Sequence, residues 1–245
     1  MNERFAGLTA RRLLIAALAC GGFGIGVSEF LVMGLLPQIA ADLLPELTRS
    51  HPDAAFAATG GLASAYALGV VVGIVTTPIL VRRFSERNAL ILCASSMLLW
   101  TIATAFAPTL AIAIVLRFFS ALTHASYIGV AAMMVAHLLV SGKYGRGSAI
   151  VHGGLTGANL IGVPALTALG AAGDWRVILA SCAIFFALPL VALLIVRVPP
   201  AAVATLEHAS GGVHTRRLLA LIGAAVLVTA GGFTILTYVA PVIER

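Results

Sequence analysis

Residues 24–43 read GIGVSEFLVMGLLPQIAADL. The run from Leu13 to Leu36 is almost wholly apolar, yet Glu29 stands inside it. A helix of that length crosses the ~30 Å hydrocarbon core of a bilayer. The run is longer than the apolar region of a secretory signal, and Ala17-Leu18-Ala19 before Cys20 fits a lipoprotein cleavage site poorly. It is therefore expected to be a retained first spanning helix rather than a cleaved leader.

Runs of the same kind recur along the chain. Spans are expected at about 13–36, 57–81, 89–107, 109–139, 148–171, 177–196 and 217–240, with a long, acidic-leaning outer loop at 37–56 (Asp42, Glu46, Asp53). Span 109–139 is longer than a bilayer needs, so its end after about Ala136 is expected to tilt or project into water. The 245 residues are 60% hydrophobic and 10% charged, with a mean hydropathy of +1.07. A soluble domain of that length needs a larger charged surface, so the expected class is an all-α integral membrane protein.

The charges that remain are informative by position. Arg4, Arg11, Arg12, Arg82, Arg83, Arg87, Lys143, Arg146, Arg197, Arg216 and Arg217 lie on one side of such a topology. Arg49, Arg176 and Arg245 lie on the other. Positive charge collects on the cytoplasmic side, which places the N-terminus inside and the C-terminus outside. The expected layout is a cytoplasmic N-terminus (1–12), a six-helix bundle (13–196), a cytoplasmic linker rich in Pro, Gly and polar residues (197–216), a seventh span (217–240) and an outer stub (241–245). The net charge of +6 is accounted for by these loops, and no basic patch interleaved with aromatics speaks for nucleic acid. Cys20, Cys93 and Cys182 lie far apart within apolar segments, so disulfide and metal readings are poor. Walker, GxSxG, HExxH and GxGxxG motifs are absent, and the chain does not read as an enzyme.

Chemistry is confined to few residues. Glu29 is the only carboxylate inside these spans. An ion there costs several kcal/mol unless paired, wetted or neutralised, so such acids face an interior cavity and tend to be functional. Glu29 lies about 10 Å below the outer surface, counting from Leu36, and Arg117 about 12 Å, counting from Thr109. An ion pair between them, direct or through water, is expected, with snorkelling of Arg117 as the alternative. His124 follows Arg117 by seven residues and shares its helix face, either as a proton relay and substrate ligand or as a hydrogen-bonded packing residue. His152 and Asn159, also seven apart, line one face of the fifth span, and His137 falls near a cytoplasmic end. Gly154, Ala158 and Gly162 form a small-residue face, as do Gly69 and Gly73, and Pro164 is placed to bend its helix.

These residues resemble bacterial drug:proton antiporters of the major facilitator superfamily, in particular the arabinose-efflux and chloramphenicol-resistance subgroup. Glu29-Phe30, Gly34-Leu35-Leu36-Pro37, Ile39-Ala40 and Leu43 are similar to its first-helix motif, and SAYALGVVVG (64–73) to the start of its second helix. Arg117 with Ala121-Leu122 and His124 resembles the fourth-helix arginine motif. GLTGANLIGVP (154–164) resembles the fifth-helix antiporter motif, followed by Asp174-Trp175-Arg176, and Thr237-Tyr238-Val239-Ala240-Pro241 looks like the seventh helix. One loop departs from the pattern. Arg82 stands where the family has an acid and Ser85 where it has glycine, with Glu86 following, which puts the interdomain pairing of that loop in doubt.

The resemblance implies twelve spans in two halves, each of inverted three-helix repeats, with substrate held between them. This chain would be the N-terminal six-helix half plus one further helix, truncated after the seventh span and inactive alone. It implies proton-coupled efflux of small amphipathic molecules across the bacterial inner membrane, driven by the proton gradient without a cofactor or metal. Glu29 would exchange the proton and Arg117 couple it to helix movement. Tyr66, His124, His152 and Asn159 would line the substrate cavity. Gly69, Gly73, Gly154, Ala158, Gly162 and Pro164 would serve packing and bending, and Arg82, Arg83 and Arg87 the cytoplasmic loop motif. The implied partners are a small-molecule substrate, protons and the lipid bilayer. The alternatives are a non-transporting membrane subunit, a split transporter with a separately encoded C-terminal half, and an uncoupled sugar or metabolite facilitator.

Overall fold

Backbone amides inside a bilayer find no water, so a spanning chain must satisfy them internally as helix or closed barrel. The computed structural model does so with helices. It describes residues 2–139 and 144–196, with Ala220, Gly223, Ala224 and Leu227, and excludes the side chains of 2–7, 77, 78, 81, 82 and 144. The chain divides into two units, Met1–Val198 and Pro199–Arg245. In the second, the four described residues are helical and exposed. The expected linker (197–216), seventh span (217–240) and stub (241–245) otherwise lie outside the described residues.

Among the described residues of the first unit, six helices are long and apolar enough to cross a membrane: Leu8–Gly34, Pro52–Thr76, Glu86–Ala105, Leu110–Leu138, Gly145–Ala172 and Trp175–Ile195. They match the first six spans read from the sequence within a few residues at most ends. The first span belongs to α1 (Asn2–Gly34). Residues 37–56, expected as an outer loop, are instead largely helical: α2 (Leu36–Leu43), α3 (Pro45–Ser50) and α4 (Pro52–Thr59). Each has a proline in its first turn, where the fixed φ suits a helix and the missing N–H is not needed. Here the prolines start helices rather than mark a loop. The second and third spans continue as α5 (Gly61–Arg83) and α6 (Glu86–Ala105), the latter capped by Ser85.

The fourth span is broken into α7 (Leu110–Ala121) and α8 (His124–Leu138). Ser120 Oγ donates to Arg117 O at 2.7 Å just before the break, a side-chain bond of the kind that accompanies bent helices. The fifth span comprises α9 (Tyr144–Gly157), a π-helical turn Ala158–Gly162, and α10 (Val163–Ala172) with Pro164 in its first turn. Pro164 is expected to bend its helix, but what interrupts the regular helical ladder is a wide turn that ends just before it and has no simple signature in the sequence. The sixth span comprises α11 (Trp175–Ser181) and α12 (Ile184–Ile195).

Packing is exchanged between the two triplets of spans. The first span runs along the fifth, the second along the fourth, and the third against the sixth. Small residues permit the first two approaches. A Cβ on Gly69 or Gly73 would run into the backbone oxygens of Phe118 and Leu122. A Cβ on Gly154 would run into Ala19 O, and one on Gly162 would lie 2.6 Å from both Phe23 and Val27. The second helix of each triplet therefore carries the close-approach face for the first helix of the other. The first span is the common core: Leu14, Leu18 and Ile25 pack in one buried cluster with Met97, Tyr127 and Phe186, while Val27, Leu31 and Leu35 pack in another with Leu62, Trp175 and Leu179. Gly73→Leu is expected to destabilise the bundle by about 1–3 kcal/mol. Gly153→Leu, whose Cβ meets nothing within 4 Å, should change it by under about 0.5 kcal/mol. Thermal unfolding in detergent compares the two.

Candidate functional site

A buried guanidinium in an apolar bundle must find acceptors for its rigid fork of N–H groups. Arg117, on α7, is 1% exposed. Its Nη1 donates to Ser28 Oγ at 3.0 Å, and its Nη2 to the backbone oxygens of Ser28 and, at 3.4 Å, Glu29. Helical carbonyls already accept one bond each but keep a second lone pair. The aromatic face of Tyr66, on α5, covers the cation with the ring centroid 4.2 Å from Cζ. Nε has no protein partner.

The expected ion pair is therefore not a direct one. Arg117 grips the backbone of α1 at Glu29, while the carboxylate points elsewhere. Glu29 Oε2 lies 3.9 Å from His124 Nδ1, and the two side chains are 24% and 13% exposed. His124, the first residue of α8, also meets the Tyr66 hydroxyl, 3.1 Å from the same Nδ1. Four of the residues singled out in the sequence, Glu29, Tyr66, Arg117 and His124, thus converge from the first, second and fourth spans. Ser28 was not singled out. Its only signal was a small hydroxyl beside the lone carboxylate of an apolar run.

The remaining candidates are not hydrogen-bonded into this cluster, although His152 is close enough to His124 to act on it electrostatically. His152 is exposed, with Nδ1 3.0 Å from Ser148 O in its own helix, and Asn159 is exposed on the π-helical turn. Neither is hydrogen-bonded to the four. Gly69, Gly73, Gly154, Ala158 and Gly162 act through packing, and Pro164 is exposed. In the cytoplasmic loop motif the side chain of Arg82 lies outside the described residues and Arg83 is exposed. Arg87 donates from Nε and Nη2 to Leu193 O at 2.9 and 2.6 Å. Its charge closes the C-terminus of α12, where the helix dipole favours a cation. Next to it Glu86 pairs with His137 at 3.1 Å. Among the described residues no cluster of His, Cys, Asp and Glu could hold a metal.

A second polar knot ties the opposite end of the bundle. Arg176 pairs with Asp42 at 2.9 Å, donates from Nη1 to Ala105 O and Ala107 O at 2.8 and 2.9 Å, and stacks on Trp175. Trp175 Nε1 donates to the same Asp42 oxygen at 3.1 Å. One arginine thereby joins α2, the end of the third span and the start of the sixth.

This arrangement of a buried arginine against the first span meets a family match over nearly the whole chain: residues 18–245 match the Major Facilitator Superfamily. The chain belongs to that superfamily. It is 32% identical over 239 residues to the inner membrane transport protein YdhP of Escherichia coli, covering 94% of this chain and 57% of that protein. It is 31% identical over 176 residues to the putative transporter AraJ of E. coli (70% of this chain, 41% of that protein). It is 30% identical over 239 residues to a chloramphenicol resistance protein of Streptomyces lividans (94% and 57%). The chain spans a little over half the length of YdhP and the resistance protein. As a member of this superfamily it is an all-α membrane protein, and its described part makes up one six-helix half.

The fork of Arg117 matches three acceptors that a point charge cannot span together. Arg117→Lys is expected to lower stability by about 2 kcal/mol or more, and Ser28→Ala by about 1 kcal/mol. Thermal unfolding of the purified variants measures both.

Proposed function

We propose that this sequence exports small amphipathic molecules in exchange for protons across the bacterial inner membrane. The observation that carries the reading is the placement of Glu29. It is the one carboxylate in the interior of a described span, since Asp53 and Glu86 stand in the first turns of theirs. It is partly accessible rather than sealed, and it sits beside a fixed cation and a histidine. An acid so placed gains or loses a proton at modest cost, and the change in charge is felt by groups on two other spans.

In this reading Glu29 carries the proton. Arg117, anchored on the backbone of the first span, couples the change in charge to helix movement. A bound substrate and a proton oppose each other at the site, so each drives the other out. Apolar walls select loosely for amphipathic compounds, in keeping with a relative named for chloramphenicol resistance. A second six-helix half, on the same chain or a partner, supplies the facing wall and rocks against this one. The distribution of Arg and Lys puts the N-terminus in the cytoplasm. The proton gradient is the energy source, and no cofactor is required.

The test uses membrane vesicles containing the protein completed by a second half, challenged with dyes and antibiotics while internal pH is followed. Substrate addition should discharge the gradient. Glu29→Gln should lower coupled efflux about tenfold or more while leaving downhill substrate exchange. Undiminished coupled efflux in Glu29→Gln refutes the mechanism.

A further inference from the structure

One nitrogen at this site faces two groups whose demands on it conflict. Tyr66 Oη lies within hydrogen-bonding distance of His124 Nδ1, at 3.1 Å. Glu29 Oε2 approaches the same atom to 3.9 Å, just outside that range. An imidazole nitrogen is either a lone-pair acceptor or an N–H donor, never both. With Glu29 ionised and the single imidazole proton of His124 on Nε2, the lone pair of Nδ1 accepts the Tyr66 hydroxyl. Once a proton enters the pair, two placements exist. A protonated Glu29 donates to the lone pair and displaces Tyr66. Alternatively, a protonated Nδ1 donates to the Glu29 carboxylate, because a charge-assisted bond outcompetes one to a neutral phenol. A coupled pair shares its proton, and both placements release Tyr66.

We propose that the exchanged proton and the Tyr66 hydroxyl compete for Nδ1 of His124, so that the Tyr66 hydroxyl is bonded to the head of α8 only while the Glu29–His124 pair is proton-free. The proposal rests on the reading that Glu29 exchanges protons, and adds how that exchange reaches other helices. Tyr66 is a positioning residue acting through His124. Its ring stays under Arg117, whose Cζ is 4.2 Å from the centroid, while only its hydroxyl changes partner. Glu29 faces His124 from α1, Tyr66 from α5 and Arg117 from α7, and His152 on α9 is the remaining titratable group acting on it. His152 Nδ1 is itself engaged by Ser148. The separations fit the proton-free arrangement, with Tyr66 bonded and Glu29 withdrawn. On protonation the Tyr66–His124 bond opens while the ring contact with Arg117 persists, freeing a phenolic donor for water or substrate.

The sign of the effect follows. The Tyr66 bond stabilises the proton-free pair, so its removal makes the pair hold a proton more readily. Infrared spectroscopy of this chain in lipid nanodiscs reads the carbonyl stretch of protonated Glu29, identified by its loss in Glu29→Gln. Tyr66→Phe, which keeps the ring under Arg117, should move the midpoint of that band to higher pH by roughly half a unit to one unit. In a His124→Asn background, which lacks the ring nitrogen, the same substitution should move nothing. A midpoint indifferent to Tyr66→Phe, or equally shifted with and without His124, overturns the competition alone. A Glu29 band that never titrates overturns proton exchange at Glu29, and this competition with it.

Discussion

The structure is organised around a cation that has left water. A guanidinium buried between helices costs several kcal/mol unless its donors are satisfied, and Arg117 meets that demand with oxygens of the first span rather than with a carboxylate. Carbonyl oxygens cannot be protonated away at physiological pH, so the anchor holds whatever the charge on Glu29. The hydrogen bonds that pin the helix thereby do not depend on the charge of the acid it bears. Had the guanidinium closed directly on the carboxylate, neutralising one would have stranded the other.

That anchor requires the helices to be close, and closeness comes from missing side chains. Gly69 and Gly73 bring the second span against the carbonyls of Phe118 and Leu122, beside the interruption between α7 and α8. Gly154 and Gly162 bring the fifth against the first, and the π-helical turn falls on that same face. Irregular backbone at membrane depth is tolerable where protein covers it. Both irregularities therefore sit where small residues let a neighbour come near. The break after Ala121 has a chemical consequence: it sets His124 at the head of a new helix, where its ring reaches Tyr66 and Glu29 together.

Arg87 and Arg176 show the same solution at the two ends of the bundle. Each binds backbone oxygens at helix ends, at Leu193 in one case and at Ala105 and Ala107 in the other. Orphan carbonyls there have no helical donor. Arg176 sits in the Asp174-Trp175-Arg176 stretch, legible as a motif, but its partner Asp42 lies 134 positions away, and no local pattern links them.

The six spans of the first unit, the membrane class and the superfamily were determined by the sequence alone, because apolar length and residue identity are local properties that lipid reads directly. So was the short roll of residues able to do chemistry, since Glu29, Arg117, His124 and Tyr66 stand out against an oily background. The sequence did not determine who touches whom. It paired Glu29 with Arg117 by depth, whereas the fold gave the arginine the backbone at Ser28 and Glu29 and turned the carboxylate toward His124. It took residues 37–56 as loop, and it grouped His152 and Asn159 with Tyr66 and His124, to which neither is hydrogen-bonded. Depth and helical period fix a residue's height and face on its own helix. Only packing fixes the rotation of one helix against another, and hydrogen-bond partners depend on that rotation.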